Sequence, residues 1–212
     1  MNQIPIGGLS AVAEAEKPTR RAQAKRLTRE KIVAAAKSLF AERGYEASTI
    51  RAIAKTAGMS TGAVFASFTD KSDLFTEIAE AEQAELFQTM QLAAAGLSGR
   101  AAITAMLHAA SERQAGEIAL VRAVMSALWT PGLAERARRR LERRPVTTLI
   151  AAAVRQELPA VDSAEATFVA EMIWDGYLAT LRRGALGGLT AAVVKARIDA
   201  GARTILAGVQ PG

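Results

Sequence analysis

The chain has 212 residues, half of them apolar but only 5% aromatic, with no cysteine and a formal net charge of +6. An alanine-rich, aromatic-poor chain suits closely packed helices rather than strands, and without cysteine a disulfide framework and a thiolate metal site are excluded. The uncharged run at residues 86–99 is too short and too polar to span a bilayer.

In chain order, residues 1–24 read as a flexible basic arm, holding Pro5, Gly7, Gly8 and Pro18 and no sustained periodicity. The first part of the arm lacks the basic start and apolar centre of a signal peptide, so a soluble cytoplasmic protein is expected. Lys17, Arg20, Arg21, Lys25, Arg26, Arg29 and Lys31 face only Glu30 across residues 17–31, a balance that favours a polyphosphate partner. Leu27 and scattered alanines offer too little apolar surface for a membrane-lying helix. Arms of this kind enter a minor groove beside a DNA-reading helix or simply solubilise the chain, and the residues leave both open.

Thr28 is a cap for a helix over residues 28–43, with Ile32, Ala36, Leu39 and Phe40 on its buried stripe and Gly44 as stop. Ile50, Ile53, Ala54 and Ala57 then repeat at the spacing of one buried helix face, behind a cap at Ser48 or Thr49. Gly58 stands where a left-handed residue ends that helix, and Met59 plugs the turn. Ser60 caps a second short helix in which Val64 and Phe68 face inward. Two short helices, a tight glycine turn and a buried residue inside the turn make a helix-turn-helix, whose second helix enters the major groove of DNA. The outward residues of that helix, Thr61, Gly62, Ala63, Phe65, Ala66 and Ser67, carry no charge. Gly62 costs a helix interior roughly 1 kcal/mol relative to alanine. Close approach to another backbone, a DNA strand or a packed helix, offsets that cost.

Asp70, Lys71 and Ser72 start the next helix, which carries Leu74, Phe75, Ile78, Leu86 and Met90 to about residue 95. Such a helix joins two units and acts as a lever. Helices follow over residues 100–115, broken by Gly116, and 117–129. Thr130 and Pro131 open another, which Pro145 kinks or restarts and which runs to about residue 158. A capping box at Asp162–Glu165 opens a helix over 162–183, and the last spans about 189–208. Nine or ten helices without a strand or an internal repeat make the chain all-α.

Residues 28–75 resemble the DNA-binding domain of the tetracycline-repressor (TetR) family of transcriptional regulators. The resemblance lies in Gly44-Tyr45, Thr49-Ile50-Arg51-Ala52-Ile53-Ala54, Gly58-Met59-Ser60, Gly62, Phe68 and Lys71 at the family's spacing. It implies a basic arm (1–24), a helix-turn-helix domain (25–75) and a helical effector-binding and dimerisation domain (76–212). Carried over by position, it implies that Thr49 and Lys71 hold phosphates and that Arg51 reaches a phosphate or a guanine edge. Thr61, Gly62, Ala63, Phe65, Ala66 and Ser67 would then face the groove, with Arg20, Arg21, Lys25 and Arg26 supporting from the arm. Phe65 and Ser67 depart from the tyrosine and the histidine or tyrosine usual at these positions. Phe65 has no hydroxyl for a phosphate but packs on a thymine methyl.

In the second domain Met90, Met106, Leu107, Met125 and Leu128 are candidates for a ligand pocket, together with Trp129, Phe168, Met172 and Trp174. Any one of them is also a plain core residue by its spacing. His108 is the only histidine, so no His-pair metal site exists; it is an interior hydrogen-bonding residue or a ligand's polar anchor. The arginine-rich stretch 135–144 contains spaced glutamates and reads as a solvated helix face. By resemblance the last two helices form the dimer interface, through Phe168, Ile173, Leu178 and Leu181 on one and Val193, Val194, Ile198 and Leu206 on the other. No Gly-rich phosphate loop, nucleophile elbow or clustered acid–base set is present, so no catalytic residue, metal or cofactor is expected. The leading expectation is a homodimeric repressor that binds a pseudo-palindromic operator and leaves it when a small apolar or aromatic ligand binds. Two alternatives are a regulator of this fold without an effector, and a helical enzyme or carrier that contains a helix-turn-helix.

Overall fold

The computed structural model describes residues 19–209 apart from 129–132, 134, 136–138, 140–144, 186 and 188. Among the described residues all regular structure is helical. The helices are α1 (Arg20–Ala47), α2 (Ile50–Thr56), α3 (Thr61–Phe65), α4 (Lys71–Ala93), α5 (Gly99–Gly116), α6 (Ile118–Leu128), α7 (Pro145–Glu157), α8 (Ser163–Ala185) and α9 (Ala191–Gly208). Within these residues no helix is long and apolar enough to cross a membrane. Residues 1–18, Thr130, Pro131 and most of the arginine-rich stretch lie outside the described residues; Glu135 and Arg139, which are described, form an exposed i,i+4 pair at 3.0 Å.

α1 begins well before the expected start at Thr28. Thr19 is its cap, accepting from the Ala22 N–H at 3.2 Å, so Arg20, Arg21, Lys25 and Arg26 are helical and not part of an extended arm. Ala, Arg, Gln, Lys and Leu are all strong helix formers. These first turns are solvated all round, so they carry no apolar stripe by which periodicity would reveal them. Gly44, at φ 80°, breaks the helical path as expected. At the other caps, Asp162 Oδ1 accepts from the Ala164 and Glu165 N–H groups at 2.8 Å, and Pro145 sits at the first position of α7, where its missing N–H has no cost.

Two apolar cores form. The first gathers Ile32, Phe40, Val64 and Phe75 with Leu120 and Ala127 from α6. The second gathers Leu86, Met90, Ile103, Ile150, Trp174 and Ile198. α4 serves both, with Leu74, Phe75 and Ile78 in the first and Leu86 and Met90 in the second. α6 also serves both: Leu120, Ala123 and Ala127 enter the first core, while Ile118 and Val121 pack on the second. Its docking on α1 ties the helix-turn-helix unit to the rest of the chain by a second route.

α8 and α9 turn most of the proposed dimer residues inward. Ile173, Leu181, Val194, Ile198 and Leu206 are buried in the chain's own core, and Leu178 packs against it. The apolar spacing of these helices marks the face that covers their own subunit. Phe168, Met172 and Val193 point outward, at 61%, 44% and 43% exposure.

Leu120→Ala removes a buried side chain where α6 meets α1, a change that typically costs about 2–5 kcal/mol. Urea unfolding should show a clearly lower midpoint with the helical signal of the folded state unchanged.

Candidate nucleic-acid interface

The turn between α2 and α3 is built from local hydrogen bonds. Thr49 Oγ1 accepts from the Ala52 N–H at 3.1 Å and so caps α2. At the far end the Gly58 N–H donates to the Lys55 carbonyl at 3.1 Å and the Met59 N–H to the Ala54 carbonyl at 2.9 Å. That pair of bonds is a Schellman motif, which needs a left-handed residue, and Gly58 has φ 68°. Met59 is half-buried against the first core, and Ser60 Oγ accepts from the Ala63 N–H at 3.2 Å to open α3.

α3 is held by one face. Val64 is fully buried, and Phe68, just beyond the helix, is 2% exposed. Thr61, Gly62, Phe65 and Ala66 are exposed, with Ala63 and Ser67 half-buried at the edge. A Cβ on Gly62 would meet nothing closer than Ser60 Oγ at 3.8 Å, so no helix among the described residues packs against it. On α2, Arg51 and Lys55 are exposed and have no ion-pair partner among the described residues, and neither α2 nor α3 contains an acidic residue. Arg20, Arg21 and Lys25 are exposed on the first turns of α1, while Arg26 lies 3.4 Å from Glu30. The surface is cationic at its edges and uncharged along α3.

Two cations, Arg29 of the basic run and Lys71, make contacts within the fold. Arg29 holds Glu77 through Nε and Nη2, donates from Nη1 to the Ser67 carbonyl at 2.6 Å, and lies 4.1 Å over the Phe68 ring. It pins the end of the α3 segment to α1 and α4. No sequence signal marks Arg29, because both partners are remote in the chain. Lys71 Nζ donates to the Tyr45 carbonyl at 2.8 Å and the Glu46 carbonyl at 3.3 Å and stacks on the Tyr45 ring. Burial pushes its ammonium below the usual lysine range, with Glu46 opposing. Two of its three donors are thus engaged at the C-terminal end of α1, leaving one for the phosphate that the resemblance implies. Tyr45 in turn shares a 2.8 Å hydrogen bond with buried Ser72 and packs on Phe40 and Phe75.

The expected pocket residues are dispersed. Met125 and Trp174 line a cavity of about 130 Å³ between α4, α5, α6 and α8, together with Leu86, Leu120, Val124 and Leu178. Leu107 lines a larger groove, about 450 Å³, between α5, α8 and α9. Met90 and Met106 are core residues that line neither space. Phe168 and Met172 are on the outer surface, because they fall one residue off the inward stripe of α8. His108 Nε2 is 2.7 Å from Asp199 Oδ1 and bridges α5 to α9. Trp129 and the side chain of Leu128 lie outside the described residues. Among the described residues no group of three metal-ligating side chains occurs.

Lys71→Met removes charge-assisted hydrogen bonds worth about 1.5–3 kcal/mol. Thermal unfolding should shift down, and 1D NMR should show the Tyr45 ring environment altered.

Residues 32–78 match the family of bacterial regulatory proteins, tetR family. The transcriptional repressor AcnR of Corynebacterium glutamicum is 35% identical over 80 residues, covering 38% of this chain and 39% of that protein. The transcriptional regulator AcrR of Shigella flexneri is 41% identical over 59 residues, 28% of this chain and 27% of its own length. These matches thus span well under half the length of the curated relatives. The fold extends further: the fatty acid degradation regulator FadR of Bacillus halodurans superposes with a TM-score of 0.71 at 14% identity, over 93% of this chain and all of that one. FadR of Bacillus subtilis, solved in complex with stearoyl-CoA, does so with a TM-score of 0.69 at 16% identity, over 85% and 99%.

Proposed function

We propose that this protein, whose residues 32–78 form a DNA-binding domain of the tetR family, is a homodimeric cytoplasmic repressor that a small apolar or aromatic ligand releases from a pseudo-palindromic operator. The observation that carries this reading is α3 itself, an exposed, uncharged, glycine-bearing helix held rigidly by its buried face and flanked by the exposed cations Arg51 and Lys55. Uncharged small side chains let the helix sit deep in a major groove, where Ala63 and Ala66 meet base edges and Phe65 meets thymine methyls. Thr49 keeps its hydroxyl proton for a phosphate, since its oxygen already accepts from Ala52. Arg51, Lys55 and the α1 cations add counterion release.

A gel shift with DNA flanking the protein's own coding region, followed by selection from random sequences, tests the reading. Arg51→Ala should weaken all sequences about equally and lower the salt slope by roughly one. Substitutions at Ala63 or Ala66 should change which sequence is preferred. Unchanged affinity and slope in Arg51→Ala would refute this docking.

One reading head buries too little for tight binding, and paired heads reach half-sites about 34–36 Å apart. The outward face of α8 and α9, with Phe168, Met172 and Val193, supports a second copy there. Phe168→Glu should turn the particle seen by light scattering from dimer to monomer and weaken operator binding; a monomeric unsubstituted protein at micromolar concentration would overturn the dimer.

The effector belongs in the cavity between α4, α5, α6 and α8. At about 130 Å³ it is smaller than the roughly 300–1,000 Å³ of most ligand sites. A ligand that exceeds it must part α4 from α6, the two helices that also hold the reading head. Such a ligand binds the DNA-incompetent state better by construction, which is the condition for release. Typical couplings of about 1–3 kcal/mol lower DNA affinity about 5- to 150-fold. A thermal-shift screen of apolar compounds, then a DNA-release assay on each hit, decides the matter. Hits that stabilise the protein and never release DNA would leave the second domain as a dimerisation unit.

A further inference from the structure

We infer that the cavity between α4, α5, α6 and α8 selects an apolar organic cation, with the positive charge held at the mouth by Glu117 and Glu82 and the apolar body against Trp174; this rests on the effector reading above. The floor, formed by Leu86, Val124, Met125 and Leu178 with Trp174, is apolar and takes a hydrocarbon or aromatic group. Sign selectivity comes from the charged residues of the lining. Two carboxylates, Glu82 and Glu117, stand against one guanidinium, Arg113, among the described residues.

That guanidinium is already committed. Arg113 Nη2 donates to Glu85 at 2.5 Å and to Glu82 at 3.2 Å. Lys37, the nearest cation bonded to the same wall, is spent on Glu82 at 2.5 Å. Among the described lining residues a ligand carboxylate or phosphate would find no cation outside these pairs, and it would approach two carboxylates. Glu117 differs from Glu82: it is exposed at the mouth and has no ion-pair partner among the described residues. A ligand cation supplies that partner, and Glu82 retains oxygen lone pairs to share. A partly screened ion pair contributes modestly, so the preference is a matter of several-fold rather than thousands.

The test uses the full-length protein and three probes with one 4-phenylbutyl tail, ending in trimethylammonium, hydroxyl or carboxylate, compared by isothermal titration calorimetry. The ammonium should bind about three- to fivefold tighter than the alcohol, with the carboxylate weakest. Glu117→Gln, at an exposed and unpaired position, should leave the thermal midpoint and alcohol affinity unchanged and reduce the ammonium's advantage severalfold. Met125→Trp, which fills the cavity, should remove binding of all three. Equal affinities, a preference for the carboxylate, no binding by any probe, or an ammonium preference that survives Glu117→Gln would each overturn the assignment. Ammonium binding that does not release DNA would uphold the charge assignment and sink the effector reading instead, so the two fail separately.

Discussion

The structure depends on two helices each burying side chains in two cores. α4 carries Phe75 and Ile78 into the core behind the helix-turn-helix and Leu86 and Met90 into the core of the larger domain. α6 repeats the arrangement with Leu120 and Ala127 on one side and Ile118 and Val121 on the other. Fully burying a side chain of this size is worth about 1.5–3 kcal/mol. Several such residues on α4, with Leu120 and the partly buried Ile118 and Val121 on α6, make separation of the two units costly. The small units α2 and α3, too short to be stable alone, inherit their order from this framework.

How much was legible from the sequence follows from the range over which each feature is encoded. The α2–turn–α3 unit was legible because its instructions are local: Thr49 and Ser60 cap, Gly58 alone tolerates the left-handed turn, and Val64 and Phe68 repeat on one face. α4 was legible as a bridge because its apolar stripe outruns what one small core needs. The early start of α1 was not, since solvated turns leave no periodic trace. Nor were the tasks of Arg29 and Lys71, whose partners are 48 and 26 residues away; in the sequence a cation looks the same whether it meets a phosphate, a carboxylate or a carbonyl.

The dimer and pocket residues illustrate a different limit. In alanine-rich α8 and α9, apolar side chains occur on more than one face, and periodicity marks only the strongest stripe. That stripe covers the chain's own core, leaving Phe168, Met172 and Val193 as the informative residues by their displacement from it. The residues that suggested one pocket are shared among core, surface and two separate spaces. Which residues surround a void depends on how four helices meet, and no single helix's spacing contains that. The second core contact of α6 was hidden for the same reason, although its apolar residues cover more than half of its circumference.

The uncharged face of α3 carries a consequence for how sequence discrimination arises. On the proposed docking Ala63, Ala66 and Phe65 would offer the bases methyl and ring surface but no donor or acceptor, so at their positions a wrong base pair would be rejected by steric misfit or a lost methyl contact rather than by a stranded polar group. Rejection of that kind is mild at each position. In a two-fold assembly, however, the same error made in both half-sites is counted twice, and the ratio of right to wrong operator is squared. Symmetry would then provide the fidelity that a chemically plain reading surface lacks.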